Sequence, residues 1–399
     1  MTSIFKNRTL IIIGAGASKE ICYPTGEELI AQIISNKMEI FKSYIIFRTM
    51  QELGEDALKQ LNNNIIINSH NDKDINLHQY FPTSSYAQTK NLSLEFQMQK
   101  QFFARLQEFN PVSIDRFLSM HQEFEKIGKF AISYIILGRE HASKDAMSLI
   151  GYKKKNQTDK YACGNWYKFL LDRITNCKEP EEINDNQIDI VNFNYDVSLE
   201  YFLRLTLYNN SFFNKKDKSG INIIDKFFSH TLRVHHVYGK VRDDNSITNN
   251  NFLNDYGSIF VREQISFENS TYNQKKIFNE QKKIIEQIGI NSKIKVVLHG
   301  KANKSVSDKK YQTLIKNCES LYILGYGFLD ENNDKISLIK KIVNKSSNLK
   351  NNKIFITNYG GSQIIDRKIL HDICGNKKYI VSNRGTYEAL CYDFSFYES

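Results

Sequence analysis

The run Thr9-Leu10-Ile11-Ile12-Ile13 opens directly into Gly14-Ala15-Gly16-Ala17-Ser18. A short apolar, β-branched run of this kind reads as a buried strand. Two glycines and small residues behind it, then a helix-like stretch, point to the strand–turn–helix unit of an α/β fold. Without Cβ atoms, such a turn brings bare backbone N–H groups up to a phosphate, and the helix adds its positive end. The dinucleotide fingerprint G-x-G-x-x-G is incomplete, because Lys19 stands where its third glycine would be. A tight turn with no ligand fits these residues as well. Further on, Pro24 and Gly26 break the chain, and Thr25 is placed to cap a helix with Glu27 and Glu28 in its first turn.

Later stretches extend the α/β reading. Gln187 to Phe193 alternates as a strand and ends in Asn194-Tyr195-Asp196, followed by a helix-like Val197 to Leu205. Arg233 to Tyr238 forms a strand stopping at Gly239, and Lys293 to His299 another stopping at Gly300. Leu321 to Phe328 and Lys353 to Asn358 complete the set. Apolar strands separated by helical patterns predict a Rossmann-like parallel sheet, whose ligands sit at the carboxyl ends of the strands. Ser18, Asn194, Asp196, Thr357 and Asn358 all fall at such ends, and one pocket explains them together.

Between residues 36 and 185 the text changes. Glycine thins out, and apolar residues recur at helical spacing in Leu92 to Phe109 and Ile114 to Ile127. Ser113 is placed to cap the second of these, with Asp115 in its first turn. Residues 62–90 are rich in Asn, Asp and Ser and read as a loop or irregular insert. The expected organisation is a sheet domain from 1–35 and 186–399, with a large, mainly helical insertion over 36–185 covering the glycine turn. Two C-terminal stretches, Lys378 to Val381 and Leu390 to Phe396, read as strands offering subunit contacts or sheet-edge packing.

At 399 residues, the chain exceeds one ordinary domain. Hydrophobic residues at 41% and charged residues at 25% are ordinary for a globular protein. No apolar run approaches the roughly 18 residues of a membrane span, and the N-terminal stretch lacks a signal-type cleavage site. The expectation is a cytoplasmic protein with no membrane association. Six cysteines lie scattered with no C-x-x-C pair, which disfavours a structural zinc and suits a reducing compartment. The net charge of +10 comes from 54 basic and 44 acidic residues, interspersed with one another rather than in a block. Direct nucleic-acid contact stays open, against the plainer reading of a lysine-rich solvated surface.

The stretches in order are Gly14-Ala-Gly-Ala-Ser18 with Tyr23-Pro-Thr-Gly26, Ser113-Ile-Asp-Arg-Phe-Leu118, Phe193-Asn-Tyr-Asp196, His236-Val-Tyr-Gly239 and Leu324-Gly-Tyr-Gly-Phe328. Together they resemble the bacterial sirtuin-like family of NAD-consuming proteins of anti-phage defence. That family includes members paired with a HerA-type ATPase or a short Argonaute, and members of Thoeris systems. The resemblance implies NAD+ as substrate with no metal, and a site between sheet and insertion. Carried over, Gly14, Ala15, Gly16 and Ser18 meet the pyrophosphate, Ala17 belongs to the wider cofactor-binding set, and Asn194 and Asp196 stand beside the nicotinamide ribose. Thr25, Asp115 and Gly325 join the cofactor-binding set, and Thr357 and Asn358 lie near the adenosine half. It further implies a homo-oligomer and a partner protein such as the ATPase.

Three departures shape the reaction expected. Deacetylating sirtuins carry four zinc cysteines and an arginine after the glycine turn, and this chain has neither; plain hydrolysis of NAD+ to nicotinamide and ADP-ribose is expected. The family's histidine usually precedes the strand-ending glycine, where this chain has Tyr238. Strand side chains alternate, so His236 and Tyr238 share a face and His235 points the other way. His236 is therefore the expected substitute base, hydrogen-bonded to or aided by Tyr238; a half-buried structural histidine is the alternative. Two rival functions remain: a non-catalytic NAD or nucleotide sensor, and a subunit of a DNA-processing defence complex. No cluster of carboxylates with a neighbouring lysine suggests a metal-dependent nuclease.

Overall fold

The computed structural model describes residues 5, 7–54, 57, 84–111, 113–139, 165–241, 294, 318–327, 339–340, 343–344, 349, 353–357 and 367–394. The chain divides into two compact units. The first comprises Met1–Thr25, Ala142–Lys240 and Val297–Ser399, and the second Gly26–His141 and Val241–Val296.

The first unit starts with β1 (Thr9–Ile13), which passes through Gly14 into the short α1 (Ala15–Lys19). The second unit takes the chain at α2 (Gly26–Ser35), with Glu27 and Glu28 in its first turn as expected, and continues as α3 (Lys37–Leu53). Its longest helix is α4 (Tyr86–Phe109), in which the Ser85 hydroxyl accepts the Gln88 N–H at 3.3 Å. Residues 86–90, expected in a loop, are thus the first turn and a half of a helix; the cap and the buried Thr89 outweigh their polar composition. Then come α5 (Ile114–Met120), a 3-10 turn over Gln122–Phe124, and α6 (Glu125–Gly138). Ser113 caps α5 as read, accepting the Arg116 N–H at 3.3 Å. The apolar period through Ile127 is divided between two helices, because the backbone leaves the helical region at His121. Phe102, Phe117 and Phe124 fill the space between α4, α5 and that turn.

Back in the first unit, α7 (Trp166–Ile174) precedes β2 (Ile188–Asn192) and α8 (Ser198–Asn209). The short α9 (Ile223–Lys226) leads to β3 (Leu232–His236). β4 (Ser320–Leu324), β5 (Ile354–Thr357), α10 (Arg367–Cys374) and β6 (Ile380–Ser382) complete the sheet layer. The six strands among the described residues are all parallel, in the order β3-β2-β1-β4-β5-β6. This is the Rossmann-like α/β arrangement the strand spacing predicts, with every residue of β1, β2, β4 and β5 buried. The predicted strand over Lys293 to His299 lies outside the described residues apart from Ile294.

One C-terminal expectation is corrected. The described part of the expected Leu390 to Phe396 strand, as far as Phe394, is not a strand: α11 (Thr386–Glu388) runs on as a wide π turn over Ala389–Asp393. The buried residues Ala389, Leu390 and Phe394 follow a helical spacing. Glu20, just past α1, accepts the N–H groups of Thr386 and, at 3.0 Å, Tyr387. A carboxylate at the first turn fixes the helix start. Lys378 to Val381 does overlap β6, at the sheet edge.

Candidate functional site

The carboxyl ends of β1, β2 and β4 meet at one place because the strand order reverses between β1 and β4. In open α/β sheets that reversal is where ligands bind. Here the backbones interlock. The N–H of Gly14 bonds to the Leu324 carbonyl at 2.9 Å, and that of Gly16 to the Gly325 carbonyl at 2.8 Å. A Cβ on Gly14 or Gly16 would stand 2.6 or 2.9 Å from the Gly325 oxygen. Gly325 has φ +60°, and a Cβ there would lie 1.9 Å from the Ala17 nitrogen. The three glycines are therefore demanded by the meeting of two backbone turns. Two of the amides assigned to a pyrophosphate are already hydrogen-bonded, one to the last residue of β4 and one to the glycine just past it. Thr357 supports the arrangement from β5, its buried hydroxyl accepting the Gly325 N–H at 2.7 Å.

Behind the turn, Asn194 and Asp196 meet Ser18 as the end-of-strand placement predicts. Asn194 lies just beyond β2, its backbone N–H held at 2.9 Å by the Asn192 side chain. Its Nδ2 donates to the Gly14 carbonyl at 3.1 Å and to Ser18 Oγ at 2.7 Å. Ser18 in turn donates to Asp196 Oδ2 at 3.1 Å. The other oxygen, Oδ1, accepts the Ser198 hydroxyl and, at 3.2 Å, the Ser198 N–H. The Tyr167 hydroxyl completes the chain, 2.7 Å from Ser198 Oγ. Burial raises the Asp196 pKa above the usual carboxylate range, against the Ser198 hydrogen bonds that lower it. Burial also pushes the Tyr167 phenol well up, keeping it a neutral donor.

His236 ends β3, opposite Asn192 in the strand register. Its Nδ1 lies 3.0 Å from the Asn194 carbonyl oxygen, and its Nε2 2.6 Å from Glu200 Oε1. Both side chains are 5% exposed. Burial alone would lower the His236 pKa; the Glu200 carboxylate and the Asn194 carbonyl outweigh it and raise it. Burial would likewise raise Glu200, but the adjacent imidazolium brings it below its ordinary value. The expected hydrogen bond between His236 and Tyr238 is not formed, because Glu200 and Asn194 occupy both ring nitrogens. Tyr238 packs instead against Phe193 and Tyr195, with ring centroids 5.9 and 6.3 Å away.

Ala15 and Gly16 are the partly exposed residues of the glycine turn, with Ala17 fully buried behind them. Thr25 is the residue immediately before α2, and Asp115 stands in the first turn of α5 in the helical unit. Asn358 lies outside the described residues. Sequence reasoning missed Glu200, Ser198, Tyr167 and Trp166. The Trp166 indole donates to the Ala17 carbonyl at 3.0 Å and ties α7 to the glycine turn. Glu200 carried one usable signal, since it lies one helical turn after Asp196 on a helix already predicted. Tyr167 and Trp166 carried none, falling in a stretch read as part of the insertion.

Among the described residues, no group of three or more His, Cys, Asp or Glu side chains gathers to hold a metal ion. Nor, among those residues, is any helix long and apolar enough to cross a membrane. Scanned against protein-family models and curated proteins, the chain matches none.

Proposed function

We propose that this protein is an NAD+ hydrolase that cleaves the nicotinamide–ribose bond to give nicotinamide and ADP-ribose. The observation that carries the reading is the mounting of Asn194 at the carboxyl end of β2. Both protons of its amide nitrogen are committed to Gly14 and Ser18. This leaves Oδ1 as the atom that accepts a hydroxyl or a water. Nicotinamide departs as a neutral molecule from a cationic substrate, so the reaction needs no acid on the leaving group. It needs a held ribose, one admitted water and tolerance of an oxocarbenium-like charge. An anchored carboxamide meets the first two needs without adding charge, and the Asp196 network lies directly behind it. The motifs shared with sirtuin-like defence proteins support NAD+ as substrate. They also support toxic NAD depletion in anti-phage defence as the role, controlled by oligomerisation or by an ATPase partner.

One observation favours a second reading. With both nitrogens of His236 engaged, the described residues of the site offer an anchored amide and no imidazole lone pair, as in a nucleotide sensor that binds without turnover. The deciding experiment is NAD+ consumption by the purified protein, alone and with a HerA-type ATPase and DNA, with ADP-ribose identified as product. Wild-type turnover that Asn194→Ala lowers by at least a thousandfold, the fold intact by circular dichroism, supports the hydrolase. A fully active Asn194→Ala variant removes the site assignment, and binding without turnover under every condition selects the sensor.

A further inference from the structure

We propose that Glu200 is a positioning residue: it fixes the His236 ring as a doubly protonated clamp on the Asn194 backbone, so that His236 is not the proton acceptor of the reaction. The inference rests on the hydrolase reading given above and assigns roles within its site.

The hydrogen bonds carry the argument. A backbone carbonyl can only accept, so the Nδ1 that lies 3.0 Å from Asn194 O bears a proton. A carboxylate can only accept, so the Nε2 that lies 2.6 Å from Glu200 Oε1 faces it through a second proton, or through one shared with it. In either placement the ring has no free lone pair. To take a proton from water, His236 would first have to release one, and the atoms at 3.0 and 2.6 Å are those that retain them. Other charges act on the pair. Lys240, just past β3, disfavours the imidazolium and favours the Glu200 carboxylate, while Asp196, at the start of α8, favours the imidazolium. Tyr167, on α7, also senses Glu200 and stays neutral.

The clamp has a mechanical consequence. Asn194 is held at its N–H by Asn192, at its carbonyl by His236 and at Nδ2 by Gly14 and Ser18. Four contacts from three strand ends and α1 leave its Oδ1 aimed in one direction. Placing a reacting group within a fraction of an ångström matters as much as its identity. The same pair explains why Tyr238 in the pre-glycine position is compatible with the fold: it is packed with aromatic rings and His236 already has its partners.

The test combines a spectroscopic and a kinetic readout. In ¹⁵N-histidine-labelled, unliganded protein, the His236 ring should keep both nitrogens protonated at pH above the ordinary histidine value of 6.5. In Glu200→Gln it should titrate below the ordinary histidine value, because burial then outweighs the Asn194 carbonyl. A wild-type ring that is neutral at pH 7 with a free nitrogen overturns the clamp. In NAD+ cleavage, His236→Ala should fall by at least a hundredfold. An amide in its place can still donate to the Asn194 carbonyl, so adding His236→Gln to Glu200→Gln should restore cleavage to within about tenfold of wild type. A general base is worth about 10²–10⁴ in rate and no amide replaces it, so a double variant that binds NAD+ normally yet stays down by that factor overturns the proposal. A wild type that never cleaves NAD+ removes the hydrolase reading and the positioning role with it. The ring titration, read without substrate, still decides the clamp.

Discussion

Of the buried carboxylates of the sheet unit, Asp189 at 2% exposure and Asp196 at 3% lie towards opposite ends of the same strand and are satisfied in opposite ways. Asp189, near the amino end of β2, is gripped by Arg233 through two hydrogen bonds of 2.7 and 2.9 Å, with Arg8 at 3.6 Å. Asp189 and Arg233 are register partners across β2 and β3, so the pair joins two strands while neutralising its charge. Asp196, beyond the carboxyl end of the same strand, is held by two hydroxyls and one N–H and has a raised pKa. A buried charge matched by cations is a fastening. One whose hydrogen bonds all come from neutral groups, with no cation bonded to it, costs stability, and perturbed buried groups of this kind cluster where chemistry uses them.

The largest expected effect separates these two ends. Asp196→Asn should lower NAD+ cleavage by about 10²–10⁴ while changing unfolding stability by under about 1 kcal/mol, since it removes a charge that burial penalises. Asp189→Asn should do the reverse: a loss of about 1–3 kcal/mol in urea denaturation, with cleavage per folded molecule within about threefold of wild type. Arg233 is 41% exposed at its side chain, so water takes over part of the lost contact and keeps the cost at that level. Equal activity losses in the two variants would erase the distinction.

A second comparison lies within β3. His236→Ala strands the Glu200 carboxylate in a site where both side chains are 5% exposed, and about 3 kcal/mol of stability should go with it. His235→Ala, on the opposite strand face, should cost about 1 kcal/mol and little activity. The pair also sets a pH window. The raised His236 pKa contributes stability that is lost as pH climbs through it, above the ordinary 6.5, and the lowered Glu200 pKa contributes stability that is lost as pH falls through it, below 4.5. Thermal melts of wild type against the Glu200→Gln/His236→Gln variant should show the wild-type advantage shrinking at both extremes.

Glu20 gives the most specific effect, one read in stability alone. Burial raises its pKa from 4.5 to about 7, although the Tyr387 and Thr386 amides lower it. Its raised pKa means that its contribution is fully present below 4.5 and is lost as pH rises through about 7. Relative to Glu20→Gln, the wild type should therefore lose up to ~3 kcal/mol between pH 5 and 8. A pH-independent difference in melting temperature would show that the two amides cancel burial, and an advantage that grew with pH would show that they outweigh it.

Much of this unit was legible in the chain. Thr9-Leu10-Ile11-Ile12-Ile13 reads as a strand because four apolar residues in a row behind a β-branched threonine suit a strand covered on both faces, and the glycine pair marks its end. Asn194, Asp196 and Ser18 were legible as a group because α/β strands deliver their last residues to one edge. The 86–90 turn of α4 was not, since its polar letters are those of a loop until a cap and a packing face select the helix. Leu390 to Phe396 misled because short apolar runs carry no period strong enough to separate strand from helix, and the deciding contact comes from Glu20, far back in the chain.

The sequence by itself determined a parallel α/β sheet, its strand ends and the polar residues gathered there, because burial on both faces and strand alternation are local properties of the chain. Only the tertiary structure decided what those residues do to one another. That Gly14 and Gly16 make room for Gly325, and that His236 faces Glu200 rather than Tyr238, depends on strands and a helix brought together across the sheet. So does the anchoring of Asn194 on α1. Hydrogen-bond partners of this kind are set by strand order and register, and neither is written at any single position.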